Sequence, residues 1–254
     1  MTDLPLDFLR AIALREISKD GSTPLFVTVS GSHLYGFSSP DSDFDLRGAH
    51  VMPLPRALSL FPSKETLERS GIEEGREIDF VSHEAGKFFR LMLKKNGYVM
   101  EQVLSPLVVA GGPELDELRE IARGCITRHI HHHYRGFSEN EIAQFGKQEE
   151  KKAKTLLYVY RVLLTGIHVL RTGEIEPNLR RLLDLHPQPG VSELIALKVR
   201  EKAALDPKEA GRHLLAIEAL RGELEEAFAS SKLPEEPARG RDLDDFLRRL
   251  RLRR

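Results

Sequence analysis

Gly31-Ser32-His33-Leu34-Tyr35-Gly36-Phe37-Ser38-Ser39-Pro40-Asp41-Ser42-Asp43-Phe44-Asp45-Leu46-Arg47-Gly48 is the stretch on which the fold turns. Just before it, Leu25-Phe26-Val27-Thr28-Val29 is a β-branched and aromatic run bounded by Pro24 and Gly31, which predicts a buried strand. A strand that ends in Gly-Ser and enters a short helix presents backbone N–H groups and a hydroxyl where partial positive charge favours phosphate. Glycine lets the backbone approach closely, and the Ser32 hydroxyl is a donor for a phosphate oxygen. Further on, Asp43 and Asp45 are two apart in a segment that alternates up to Pro53. On a strand both carboxylates then project from one face, with Phe44 on the other. Two carboxylates so placed repel each other unless a hard cation neutralises them, and Mg²⁺ bound by one or two carboxylates plus substrate phosphates meets that need. An EF-hand calcium loop starting at Asp41 is excluded, because Leu46 and Met52 stand where glycine and glutamate are required.

Working outward, Leu6, Leu9, Ile12, Ala13 and Ile17 recur at helical spacing, with Asp3 as candidate cap. Strands are predicted at 65–70, 77–81 and 107–110. Asp79, between Ile78 and Phe80, is a third strand carboxylate. If its strand lies beside that of Asp43 and Asp45, at about 4.8 Å spacing, three acids come together as a two-metal site. Ala85 to Leu93 has helical periodicity and is expected to stop at Asn96-Gly97 with the glycine as C-terminal cap. Gly111-Gly112-Pro113 is the strongest breaker in the middle of the chain. It suggests a division into a catalytic domain, 1–112, and a helical domain, 113–254, with helices at 151–172, 191–204, 208–228 and 242–252. The fold class expected is α+β, a small mixed sheet flanked by helices and followed by a helical bundle.

The whole chain sets the outer bounds. Its 254 residues are enough to bury a core without disulfides, and 41% hydrophobic with 30% charged residues is a globular composition. A net charge of −1 excludes a polycation that coats nucleic acid indiscriminately. Basic residues do cluster locally, at His129 to Arg135, at Lys147 to Lys154 and from Arg248 to the end, as candidate anion-binding regions. No apolar run approaching about 20 residues is apparent and the start is acidic, so no membrane association and a cytoplasmic location are expected. Cys125, the single cysteine, reads as a buried small hydrophobe. His131-His132-His133 cannot all ligate one ion from a helix. The run is read as an exposed basic surface which, with Arg128, Tyr134 and Arg135, touches an RNA backbone.

The order Gly-Ser, then Ser-Asp-x-Asp, then a lone strand aspartate resembles the DNA polymerase beta-like nucleotidyltransferase superfamily. The stretches 31–36, 40–48 and 77–79 resemble one branch more closely, the bacterial and phage RNA-repair-pathway nucleotidyltransferases. Phe88 to Asn96 with Glu101 resembles that family's helix, and Lys154 with Tyr158 to Leu164 resembles its helical-domain motif. The chain departs from the family at Gly97 and Val162, where proline is frequent.

This resemblance implies that Asp43, Asp45 and Asp79 are catalytic and bind two Mg²⁺ ions, with Mn²⁺ as a substitute. It further implies that a nucleoside triphosphate is the substrate, held by Gly31, Ser32, Lys154, Tyr158, Lys151 and Arg161. Arg47 is placed beside the acids but outside the catalytic set. The acceptor implied is a hydroxyl, foremost the 3′ end of an RNA such as a tRNA. Transfer of AMP to a protein or to a small molecule such as an aminoglycoside is the alternative chemistry, and a binding module without turnover is the alternative of another class.

Overall fold

In chain order the elements are α1 (Leu6–Ser18), β1 (Thr23–Val29), α2 (Gly31–Tyr35), β2 (Phe44–Val51), α3 (Leu54–Ala57), β3 (Thr66–Glu73), β4 (Arg76–Glu84), α4 (Ala85–Leu93), α5 (Gly97–Leu104) and β5 (Val108–Ala110). They continue with α6 (Pro113–Arg123), α7 (His131–Lys147), α8 (Ala153–Thr172), α9 (Leu179–Leu185), α10 (Val191–Val199), α11 (Pro207–Ser230) and α12 (Gly240–Leu252). The computed structural model describes residues 4–61, 64–200 and 204–253, so the proposed Asp3 cap lies outside the described residues.

The chain forms two compact units. The first comprises residues up to Gly31, Asp43–Cys125 and the segment from Pro237; the second comprises Ser32–Ser42 and Ile126–Glu236. This differs from a single division at Gly112. Helix α6 stays with the first unit because Leu115, Leu118 and Ile121 are buried and Arg119 donates to the carbonyls of Val103 and Ser105. Helix α12 returns to that unit as well. Phe246 stacks on Phe89 with centroids 5.8 Å apart, and Arg251 donates to the buried Glu84 at 2.9 Å.

In the first unit the five strands are ordered β3-β4-β2-β1-β5. Only β2 and β4 run parallel; the other neighbours are antiparallel. Phe44 and Leu46 share the face predicted for Phe44, but Leu46 to Val51 are all buried, so burial along β2 does not alternate. Phe44 and Leu46 pack with Val27, Val29, Ile78 and Phe80 against Leu9, Ile12, Ala13 and Ile17 of α1. The opposite face meets α4 and α5, where Phe26 sits edge-on to Phe88 at 5.3 Å and Thr28 donates to the carbonyl of Gln102. The sheet is therefore enclosed by helices on both faces, the mixed arrangement expected. The end of α4 needs correcting. Helix α4 is capped at Lys94, Lys95 takes a positive φ of 64°, and Asn96 begins the next helix by accepting from the Tyr98 N–H. Gly97 is thus the first residue of α5 and not a C-terminal cap.

In the second unit α8 is the central helix, buried nearly all round, with α7, α9, α10 and α11 packed on it. A Cβ at Gly166 would lie 2.8 Å from Leu224 of α11 and 2.9 Å from Tyr134 of α7, so glycine permits the three helices to close together. This 20-residue helix has the length and hydropathy of a membrane span, contrary to the expectation that no run approaches one, but 83% of that window is buried inside the protein. Residues 32–42 belong here through Tyr35 and Phe37, whose rings lie 5.8 and 5.5 Å from that of Tyr158. Asn178 donates to the Leu34 carbonyl, and Lys198 binds the hydroxyls of Ser39 and Ser42.

Candidate active site

The sheet register brings the carboxylates together. Strands β2 and β4 pair in parallel with Asp45 opposite Asp79 and Phe44 opposite Ile78, so the two aspartates occupy adjacent positions on the face away from α1. Asp43 lies one residue before β2, and among the described residues its half-buried side chain makes no hydrogen bond or ion pair. Gly31 follows β1 at φ +60°, and a Cβ there would stand 1.8 Å from Oδ2 of Asp45. Only glycine meets both conditions, the left-handed backbone and the close approach of a carboxylate. The Ser32 hydroxyl is buried with no hydrogen-bond partner among the described residues.

A residue left outside the expected set occupies the centre. Nη2 of Arg47 donates to Oδ1 of Asp45 at 2.7 Å and to Oδ2 of Asp79 at 2.6 Å. Nη1 is held by the carbonyls of Asp79 at 2.6 Å and Leu46 at 3.0 Å, while Nε donates to the Tyr98 hydroxyl at 2.8 Å. Burial works against the Arg47 charge, but Tyr98, Asp45 and Asp79 outweigh it and raise its pKa above the ordinary value. Burial likewise raises the Tyr98 phenol, against the pull of Arg47. The second oxygen of Asp79 accepts from Ser70 at 2.8 Å.

Among the described residues no three His, Cys, Asp or Glu side chains converge as a metal cage. The two carboxylates that do meet have a donor set suited to a hard divalent ion, and a cation, the guanidinium, already bridges them.

In the helical unit, Lys154 is exposed near the start of α8 and Tyr158 is half-buried against Tyr35 and Phe37. Arg161 is buried with its guanidinium 4.0 Å from the Tyr35 ring centroid, a cation–π arrangement. Lys151 lies before α8, and its ammonium donates to the carbonyls of Phe145, Gly146 and Gln148, closing the end of α7.

The histidine run is an exposed basic surface only at His132, next to the exposed Arg135. His131 is 1% exposed, stacks on Phe228 at 4.3 Å and meets Glu225 through Nε2 at 3.0 Å. Burial, with Arg161 nearby, lowers the pKa of His133 to about 4. The basic C-terminal segment is also engaged, with Arg249 on Glu117, Arg251 on Glu84 and Arg248 on Asp244. Cys125 is buried as expected, and burial raises its thiol pKa to about 11.

The family model described as "RlaP: RNA repair pathway DNA polymerase beta family" matches residues 10–249. The chain belongs to this family. Among its relatives is the uncharacterized protein MJ0002 of Methanocaldococcus jannaschii, 35% identical over 224 residues that cover 85% of this chain and 88% of the relative. Another is the uncharacterized protein YcgL of Bacillus subtilis, 27% identical over 197 residues, 75% of this chain and 71% of that one. A solved nucleotidyltransferase-like protein from Exiguobacterium sibiricum aligns with 89% of this chain and 74% of its own length, at 13% identity and a TM-score of 0.35. That likeness is too loose to carry any argument. RlaP membership and the sheet that pairs Asp45 with Asp79 support an enzyme of the polymerase beta nucleotidyltransferase kind.

Proposed function

We propose that this RlaP protein transfers a nucleoside monophosphate from a nucleoside triphosphate to an acceptor hydroxyl, with the 3′ end of an RNA as the acceptor. The observation that carries this reading is the register pair Asp45 and Asp79 on parallel strands, with Asp43 at the head of the same strand as Asp45. Asp45 and Asp79, with Asp43 one residue before β2, would hold Mg²⁺, which would supply charge neutralisation to the triphosphate. Asp79 accepts the proton of the attacking hydroxyl. That oxygen bonds to the α-phosphorus as the bond to the β-phosphate breaks, and pyrophosphate leaves. In the second unit, Ser32 would offer its hydroxyl and Lys154 its ammonium to phosphate oxygens. Tyr158 and Arg161 shape the nucleotide site through the aromatic cluster they form with Tyr35 and Phe37. Lys151 supports that site by closing α7. The RNA acceptor rests on the family's description.

The test is incubation of purified protein with each labelled NTP, Mg²⁺ or Mn²⁺, and a panel of RNA ends, proteins and aminoglycosides. Label is expected on RNA 3′ ends and absent with Asp45→Ala. Label on protein or aminoglycoside alone would replace the acceptor, and nucleotide binding without transfer to any acceptor would sink the enzymatic reading.

A further inference from the structure

Arg47 has a feature that pairing with the acids does not require: it is anchored independently of them. Three of its hydrogen bonds go to the Tyr98 hydroxyl and the carbonyls of Leu46 and Asp79, while Nη2 alone serves the Asp45 and Asp79 carboxylates. The side chain is 10% exposed, so these bonds form where water competes little. The guanidinium is a fixed part of the β2–α5 scaffold and delivers one donor nitrogen into the seat between the two aspartates.

We propose that Arg47 is a resident cation that stands in for the divalent ion in the nucleotide-free protein, so that the metal is held weakly until it arrives with the triphosphate. This inference rests on the metal-dependent reading above. The positive charge keeps Asp45 and Asp79 in register without a metal, since two ionised carboxylates on adjacent strands otherwise repel. The same charge opposes an entering Mg²⁺, and Nη2 holds one oxygen of each carboxylate that the metal would use. Phosphate oxygens supply the ligands and negative charge that shift this balance, so metal and nucleotide favour each other's binding by the same factor. Arg47 is a positioning residue in this scheme and forms no bond to the reacting atoms.

The experiment is Mn²⁺ binding, read by electron paramagnetic resonance of free Mn²⁺, with and without a non-hydrolysable NTP analogue. It compares the full chain with Arg47→Gln and with Tyr98→Phe, which keeps the charge but removes the Nε anchor. In the absence of nucleotide, Arg47→Gln is expected to bind Mn²⁺ about tenfold or more tighter than the unmodified protein, and Tyr98→Phe tighter by a smaller factor. Arg47→Gln is also expected to melt at a lower temperature without metal and to regain more on adding Mn²⁺. A merely structural arginine would lower the melting temperature and loosen the metal together. Unchanged or weaker Mn²⁺ binding in either variant overturns the inference. If the unmodified protein takes up Mn²⁺ with the analogue while the variants bind no tighter without it, the metal-dependent reading stands and only the role of Arg47 fails. If no protein binds Mn²⁺ even with the analogue, both fail.

Discussion

Asp45 and Asp79 stand opposite each other on parallel strands, and a single nitrogen of Arg47 bonds to both carboxylates. Asp43 makes no hydrogen bond or ion pair among the described residues. The three acids are therefore separable by experiment. Asp43→Asn is expected to leave stability within about 0.5 kcal/mol of the unmodified protein, as for a substitution that breaks no partnership, while nucleotidyl transfer falls at least about 100-fold. Asp45→Asn is expected to cost both activity and stability, because Arg47 keeps a charge in a mostly buried place with one carboxylate fewer. Kinetics and thermal melts on the two variants check this. An Asp43→Asn protein with full activity would remove Asp43 from the site.

Gly31 offers a test of how closely the backbone must pass the carboxylate. At φ +60° an alanine costs about 1–2 kcal/mol from backbone strain alone, and its methyl would stand 1.8 Å from Asp45 Oδ2. The carboxylate or the turn has to move. Gly31→Ala is expected to lower the transfer rate at least about tenfold, since misplacing a reacting group by an ångström is costly. Gly21→Ala, also at positive φ but with only Pro53 at 3.6 Å, is expected to cost stability without that rate loss. Equal activity in the two variants would show that the passage at Gly31 is not constraining.

The alternation around Asp43 and Asp45, the run at 25–29 and the apolar Ile78 and Phe80 flanking Asp79 made the strands legible, because each is read from its own local pattern. Three features were not legible for one shared reason: they depend on which distant segments meet. Arg47 reads as a neighbour of the acids, but its central, anchored position is hidden until Tyr98, 51 positions away, supplies the anchor. His131 reads as exposed until Phe228 and Glu225 cover it. The division of the chain reads as a single break at Gly112 until α12 is found packed on α4 and α6. A signal for Arg47 did exist, since Asp45 and Arg47 are two apart on one strand and so share a face.

His50 gives the first unit a defined acid sensitivity. It is fully buried on β2, where its Nδ1 lies 2.9 Å from the Ser82 hydroxyl, and burial lowers its pKa to about 4, against smaller opposing effects of Asp20 and Glu84. The unfolded chain protonates near 6.5, so between 6.5 and 4 it binds a proton that the folded protein does not. Stability is complete above about 6.5 and is lost as pH falls through that window, by about 3 kcal/mol in total for this group. His50→Gln, which keeps a polar group for Ser82, is expected to flatten the slope of stability against pH in that interval. An unchanged slope would assign the acid sensitivity to other groups.

Lys151 and Lys154 allow a structural lysine to be told from a proposed substrate-binding one. The Lys151 ammonium donates to three carbonyls at the end of α7, whereas Lys154 is exposed and has no resolved ion pair or hydrogen bond among the described residues. Lys151→Met is expected to cost about 1–2 kcal/mol, the scale of a charged hydrogen-bonding group lost at a helix C-terminus, with little change in KM for NTP. Lys154→Met is expected to leave the melt unchanged and raise KM or lower kcat at least about tenfold. The reverse pattern would exchange their roles.

The return of α12 to the first unit makes this helix part of the unit that carries the sheet. Leu243, Phe246 and Leu250 are buried, Phe246 stacks on Phe89, and Arg251 pairs with Glu84, which is 1% exposed and also caps α4 by accepting from the Gly86 N–H. Truncation after Glu236 would expose the apolar surface under these side chains and leave the Glu84 charge in place without its arginine. Each large apolar group contributes about 1.5–3 kcal/mol on burial, and an uncompensated buried carboxylate costs about 3–5 kcal/mol, which together reach the whole stability of an average domain. The truncated chain is expected to lose transfer activity and the cooperative melt of the sheet-containing unit. Phe246→Ala provides the graded version, with an expected loss of about 3–5 kcal/mol and retained activity at low temperature. Native-state hydrogen exchange distinguishes the two units: protection should fall in β1, β2 and β4 and persist in α8. Persistence in those strands after truncation would mean that the first unit folds without its last helix, and that its boundary lies before Pro237.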